Sequence, residues 1–114
     1  MELKVVQNPI HEVEYLIRQA QEKAMAGDHI SAVENLNKAI KLHPKYAEAY
    51  VLLGNCQECI EKHEDAITSY NKALQIDPGH AEAWFNKAMS LKKMGKTREA
   101  TECIEKSVDL HFGR

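Results

Sequence analysis

Several things are scarce in this chain, and each scarcity removes a class of function. Cysteine occurs only three times in 114 residues, an odd number that argues against a disulfide framework and fits a reducing compartment. Proline and glycine number three and five, while 44% of residues are apolar and 28% charged, a balance unlike that of a disordered chain. Neither charge sign dominates: 15 Lys and Arg stand against 17 Asp and Glu, so no general attraction to nucleic acid or an anionic membrane is expected. The opening MELKVVQNPI lacks the apolar run of a signal peptide, and no stretch approaches a membrane span. No segment alternates apolar and polar residues as a strand does. Also missing are a Ser/His/Asp order, a phosphate-cradling glycine loop and paired buried carboxylates, so catalysis has no residue to rest on and no cofactor is implied. These exclusions predict a soluble, cytoplasmic, non-enzymatic protein of one domain.

What the chain does have is helical periodicity. Met1 to Gln7 stand outside the pattern and could serve as a short cover, with residues 1–9 forming an N-terminal extension before a domain over 10–114. Asn8-Pro9 reads as a helix start, because Asn caps free amides and Pro loses nothing at the first helical position. Val13, Leu16, Ile17, Ala20 and Ala24 then keep helical spacing up to Gly27, which suits a left-handed helix stop. Asp28 can cap a second helix that ends at His43-Pro44, since the residue before proline avoids the α region. Further helices are expected over about 46–60, 64–76, 80–94 and 97–111.

The pattern repeats. Ala32, Ala66 and Ala100 are 34 apart, as are Lys38, Lys72 and Lys106, and Glu14, Glu48 and Glu82; Pro44 pairs with Pro78. Small residues (Ala20, Gly54, Ala88) facing the repeated alanines would let paired helices approach closely, with Leu36, Tyr70 and Ile104 filling the space beside them. A 34-residue period of paired helices resembles the tetratricopeptide repeat. The signature residues are Tyr50, Leu53, Gly54, Ala66, Tyr70, Ala73 and Pro78 in the central copy, with Gln57 departing. The third copy keeps Trp84, Ala88, Leu91, Ala100 and Ile104, but departs at Lys87, Ser107 and Phe112. The first keeps Leu16, Ala20, Ala32, Leu36, Ala39 and Pro44, but departs at Gln19 and Lys23. The resemblance implies an all-α solenoid of three helix-turn-helix repeats (13–46, 47–80, 81–114) in a right-handed superhelical array.

It also implies a protein-interaction module whose ligand lies in a concave groove lined by the first helix of each pair. The corresponding residues here are Glu14, Ile17, Arg18 and Gln21, then Glu48, Val51, Leu52, Asn55 and Glu58. In the third copy they are Glu82, Phe85, Asn86, Met89, Lys92 and Lys93. An apolar floor (Ile17, Val51, Leu52, Phe85, Met89) beside the acidic row Glu14, Glu48 and Glu82 suits an extended or helical peptide with apolar and basic groups. First-turn Glu is also explained by the helix dipole alone. Some relatives clamp acidic chaperone tails; the matching positions Ile17, Gln21, Leu52, Glu82 and Asn86 carry no cation, which argues against that ligand. An alternative is self-association through Leu110 and Phe112, which by analogy with Leu42 and Ile76 would face a following helix. The weakest reading is thiol or metal chemistry at Cys56 and Cys59: CQEC closes a helix instead of opening one, with only His63 nearby in sequence, and no metal is expected.

Overall fold

The computed structural model describes residues 9–113 of the chain. They form α1 (Pro9–Met25), α2 (His29–Leu42), α3 (Ala47–Cys59), α4 (His63–Ile76), α5 (Ala81–Lys93) and α6 (Thr97–His111). No strand occurs among the described residues, and none of their helices is long and apolar enough to cross a membrane. The expected cap at Asn8 and the cover at Met1 to Gln7 lie outside the described residues.

The same turn closes the first helix of each hairpin. An amide reaches back five residues, from Asp28 to the Lys23 carbonyl (2.8 Å), Lys62 to Gln57 (2.9 Å) and Lys96 to Leu91 (2.9 Å). This closure needs a left-handed residue just before the amide. Gly27 (φ 88°) and Gly95 (φ 79°) supply it without strain; in the central hairpin Glu61 is forced to φ 61°. Asp28 then accepts from the Ser31 amide at 3.1 Å and caps α2. That hydrogen bond holds its carboxyl below the usual carboxylate range.

Each odd helix packs on the even helix that follows, and each even helix on the next odd one. The contact within a hairpin is tightest in the centre, where a Cβ on Gly54 would lie 2.5 Å from the ring of buried Tyr70. The flanking hairpins solve the same contact with a less extreme division of volume, Ala20 beside Leu36 and Ala88 beside Ile104. The core falls into three clusters, and the first two borrow from the next hairpin. Ile17, Leu36 and Ala39 enclose Ala49, while Val51, Tyr70 and Leu74 enclose Ala83. Because every hairpin meets only its neighbours, the molecule grows along one axis. Its extents are 62 × 30 × 19 Å, and its radius of gyration of 15.6 Å exceeds the roughly 13 Å of a compact chain this long.

Candidate functional site

The hairpins' first helices touch one another, α1 with α3 and α3 with α5, whereas the second helices do not. Helices α1, α3 and α5 therefore form the inner layer of a curved stack, and their free faces line its concave side. Midway along lies a cleft of about 210 Å³ lined by Asn55, Glu58, Cys59, Tyr70, Asn86 and Met89.

Hydrogen bonds across hairpins hold this cleft in shape. The Asn55 Oδ1 accepts from Tyr70 Oη at 2.6 Å and from Asn86 Nδ2 at 3.0 Å, joining α3, α4 and α5 at one atom. Burial raises the pKa of the Tyr70 hydroxyl above its ordinary value, so it stays a donor. Glu58 is the second junction. Its Oε1 accepts from His63 Nδ1 (2.7 Å) and Lys93 Nζ (3.0 Å), and its Oε2 from Ser90 Oγ. Burial alone would raise its pKa; the bonds from Ser90, Lys93 and His63 outweigh that and hold it below the ordinary value. A third tie runs from His80 Nε2 to Glu48 Oε2 at 3.2 Å. Because His80 Nδ1 accepts from the Ala83 amide (3.1 Å), the ring's proton sits on Nε2, facing the carboxylate.

These ties divide the candidates read from sequence. Asn55, Glu58, Asn86 and Met89 do converge on one cleft, but Glu48, Glu58 and Lys93 are engaged in holding the stack together. Glu14, Arg18, Gln21, Glu82 and Lys92 are exposed on the inner helices, and Leu52, half-buried, packs against the core cluster around Ile17 and Ala49. Glu14 lies beyond the first turn of α1, so the helix dipole does not explain it, whereas Glu48 and Glu82 are first-turn residues. The apolar floor is smaller than expected. Ile17 is buried and Val51 is 0% exposed, because each is covered by the alanine of the next hairpin, Ala49 and Ala83 respectively. Neither can touch a ligand. Phe85 occupies the same repeat position and is 47% exposed, so it belongs to the end face of the stack as much as to the groove.

The reasoning that singled out Leu110 and Phe112 also needs correction. Leu42 and Ile76, the counterparts of Leu110, stay 45% and 37% exposed although helices follow them. That position does not carry the stacking. The counterpart of Leu74 does, and that residue in the third hairpin is Val108. In CQEC, Cys56 faces the core and burial pushes its thiol up to about 11, a poor nucleophile, while Cys59 is exposed on the cleft. Among the described residues no group of three or more His, Cys, Asp or Glu is arranged to hold a metal.

Sequence reasoning missed Tyr70, Ser90, His63, His80 and Cys59 as parts of this site. A signal existed for two of them, His80 and Ser90: Glu48–His80 and Glu58–Ser90 are each 32 residues apart, and Asn55–Asn86 are 31 apart, all close to one period. Complementary polar pairs separated by about one repeat are the ones that a stack brings together.

Two family descriptions of the tetratricopeptide repeat match the chain, over residues 47–80 and 69–102. An uncharacterised protein of Methanocaldococcus jannaschii is 37% identical over 95 residues, covering 83% of this chain and 71% of the relative. Among solved structures, MamA superposes with a TM-score of 0.86 at 25% identity, over 90% of this chain. The chain spans only 60% of the MamA chain in that comparison. The second tetratricopeptide domain of Spaghetti (RPAP3), bound to the HSP90 peptide SRMEEVD, superposes with a TM-score of 0.84 at 18% identity, over 87% of this chain and 92% of that one. With its 34-residue period, its three stacked helical hairpins and these matches, the chain belongs to the tetratricopeptide repeat family.

Proposed function

We propose that the chain is a protein–protein interaction module that holds a peptide segment of a partner in its concave groove, without chemistry. One observation carries the reading. Half-buried Leu52 and Met89 lie on the inner helices, which also carry exposed charged side chains that no cross-hairpin bond engages: Glu14, Arg18, Glu82 and Lys92. The surrounding bonds of Asn55 and Glu58 fix the spacing of α3 and α5, so the groove is formed before a ligand arrives and less ordering opposes binding. A fold-level precedent is the Spaghetti domain with its bound peptide. The ligand class differs, however. Glu82 and the uncharged Ile17, Gln21, Leu52 and Asn86 offer no cation to an acidic tail, whereas Glu14 and Glu82 suit basic groups beside an apolar anchor.

Panning a displayed random-peptide library on the chain tests this. Enriched peptides should combine apolar and basic residues, and Leu52→Glu or Met89→Glu should weaken their binding at least tenfold while leaving the helical content unchanged. Failure to enrich any peptide, or peptides indifferent to both substitutions, would rule the reading out.

A further inference from the structure

The two junctions between hairpins seat the same alanine, Ala49 in the first and Ala83 in the second, yet different forces hold them. At the second junction, hydrogen bonds run the length of the helices that meet. Glu48 accepts from His80 near their start (3.2 Å), Asn55 from Asn86 midway (3.0 Å), and Glu58 from Ser90 and Lys93 near their end. The link is tied down as well. Asp77 Oδ1 accepts from the Gly79 amide (3.2 Å), and Trp84 Nε1 donates to the Pro78 carbonyl (2.9 Å).

At the first junction the counterparts do not pair. One period earlier His80 becomes Tyr46, Asn86 becomes Leu52, Glu58 becomes Ala24, and Ser90 and Lys93 become Cys56 and Cys59. Among the described residues no hydrogen bond or ion pair joins α1 or α2 to α3 or α4. This junction rests on the apolar cluster of Ile17, Leu36, Ala39, Ala49 and Leu53, and its link on a tilted ring contact between His43 and Tyr46.

The difference decides how each junction can move. A hydrogen bond fixes a distance and an angle and weakens steeply as either changes. Apolar contact has no direction, so packed helices can slide and turn by small amounts while their area stays buried. We propose that the second and third hairpins move as one rigid body, and that the first pivots against them about the link from His43 to Tyr46. The pivot is a property of the free chain, whereas its consequence for a ligand rests on the groove reading. Between α3 and α5 the groove keeps a fixed width and selects what enters the cleft at Asn55 and Met89. Between α1 and α3 it adjusts, and Glu14 and Arg18 close onto the bound peptide.

Lys38, Lys72 and Lys106 are exposed at one repeat position on α2, α4 and α6, so identical probes can compare the two junctions. In a Cys59→Ser background, nitroxides on Lys38→Cys with Lys72→Cys, and on Lys72→Cys with Lys106→Cys, are measured by double electron–electron resonance. The distance distribution across the first junction should be at least about twice as broad as that across the second. Giving the second junction the residues of the first (Glu58→Ala, His80→Tyr, Asn86→Leu) should broaden its distribution to match, with helical content unchanged. The comparison of the unaltered junctions stands alone should that triple substitution unfold the chain. A saturating library-selected peptide should narrow the first distribution and leave the second as it was. Equal widths at the unaltered junctions, or a folded triple variant whose second distribution stays narrow, would overturn the pivot. A peptide that binds yet leaves the first distribution broad would overturn the adjustable half of the groove. Capture of no peptide at all would refute the groove reading instead, with the pivot still decided on the free chain.

Discussion

Adding one methyl group at Gly54 should destabilise the chain, although Gly-to-Ala inside a helix normally stabilises. The helix-propensity gain is about 1 kcal/mol. Against it stands the ring of Tyr70, whose Cε1, Cζ and Cδ1 lie 2.5, 2.8 and 2.9 Å from where the new Cβ would be. The ring cannot swing aside, because it is buried on all sides and its hydroxyl is bonded to Asn55 at 2.6 Å. Overpacking of a sealed site costs about 1–3 kcal/mol. With three ring atoms inside contact distance the upper part of that range applies, leaving Gly54→Ala about 1–2 kcal/mol less stable. The other hairpins suggest the remedy, since they combine alanine with leucine (Ala20, Leu36) or isoleucine (Ala88, Ile104). Tyr70→Leu alone removes the ring and the bond to Asn55 and should cost about 2–3 kcal/mol. Together the two substitutions should cost at least about 1 kcal/mol less than their sum. Urea unfolding of the four proteins measures the cycle, provided that the slopes agree. Additivity within about 0.5 kcal/mol would refute the reasoning.

The remaining predictions concern the turn, the carboxylate junction and the thiols. Glu61→Gly should stabilise by about 0.5–1 kcal/mol, since it relieves a left-handed Glu at the position where the other hairpins place Gly27 and Gly95; thermal unfolding would show it as a higher Tm. Glu58→Gln should cost about 1–2 kcal/mol by weakening charge-assisted bonds from Lys93 and His63. Because the folded pKa of Glu58 is depressed, its contribution is present above the unfolded value of about 4.3 and is lost as pH falls through the lower folded value. The substituted chain should therefore lose less stability than the native chain in acid titrations monitored by circular dichroism. Thiol labelling of the folded protein at neutral pH should give one fast site, Cys59, with buried Cys56 and Cys103 reacting only on unfolding.

The helices were legible because local chemistry and repetition agreed. Gly27, Asp28, His43-Pro44 and Gly95 each mark a boundary that the structure keeps within a residue or two; Gly27 returns as Gly95 and Pro44 as Pro78, while Asp28 gives way to Lys62 and Lys96, which form no side-chain cap. Glu61, at the position of Gly27 and Gly95, shows the limit of local reading: the turn is imposed by the hairpin's packing, and the residue follows at a cost in backbone strain. The pairing of Gly54 with Tyr70 was also visible, since volume exchanges between the two positions from copy to copy. The site was less legible. Val51 and Phe85 hold one repeat position, yet one is sealed and the other exposed, because burial there depends on the next hairpin and not on the residue's own helix. Glu48, Asn55 and Glu58 read as groove residues from their helical face alone. Which of them bind a neighbouring hairpin depends on side chains about one period away, a separation that periodicity within a single helix does not examine.

The most direct test of the groove as the ligand surface is a titration of the 15N-labelled chain with a library-selected peptide, followed by amide chemical shifts. The expected result is that shifts concentrate on α1, α3 and α5 around Arg18, Leu52, Asn86 and Met89, and that they vanish in Leu52→Glu. Shifts confined to the outer helices α2, α4 and α6, with the inner face unmoved, would contradict it.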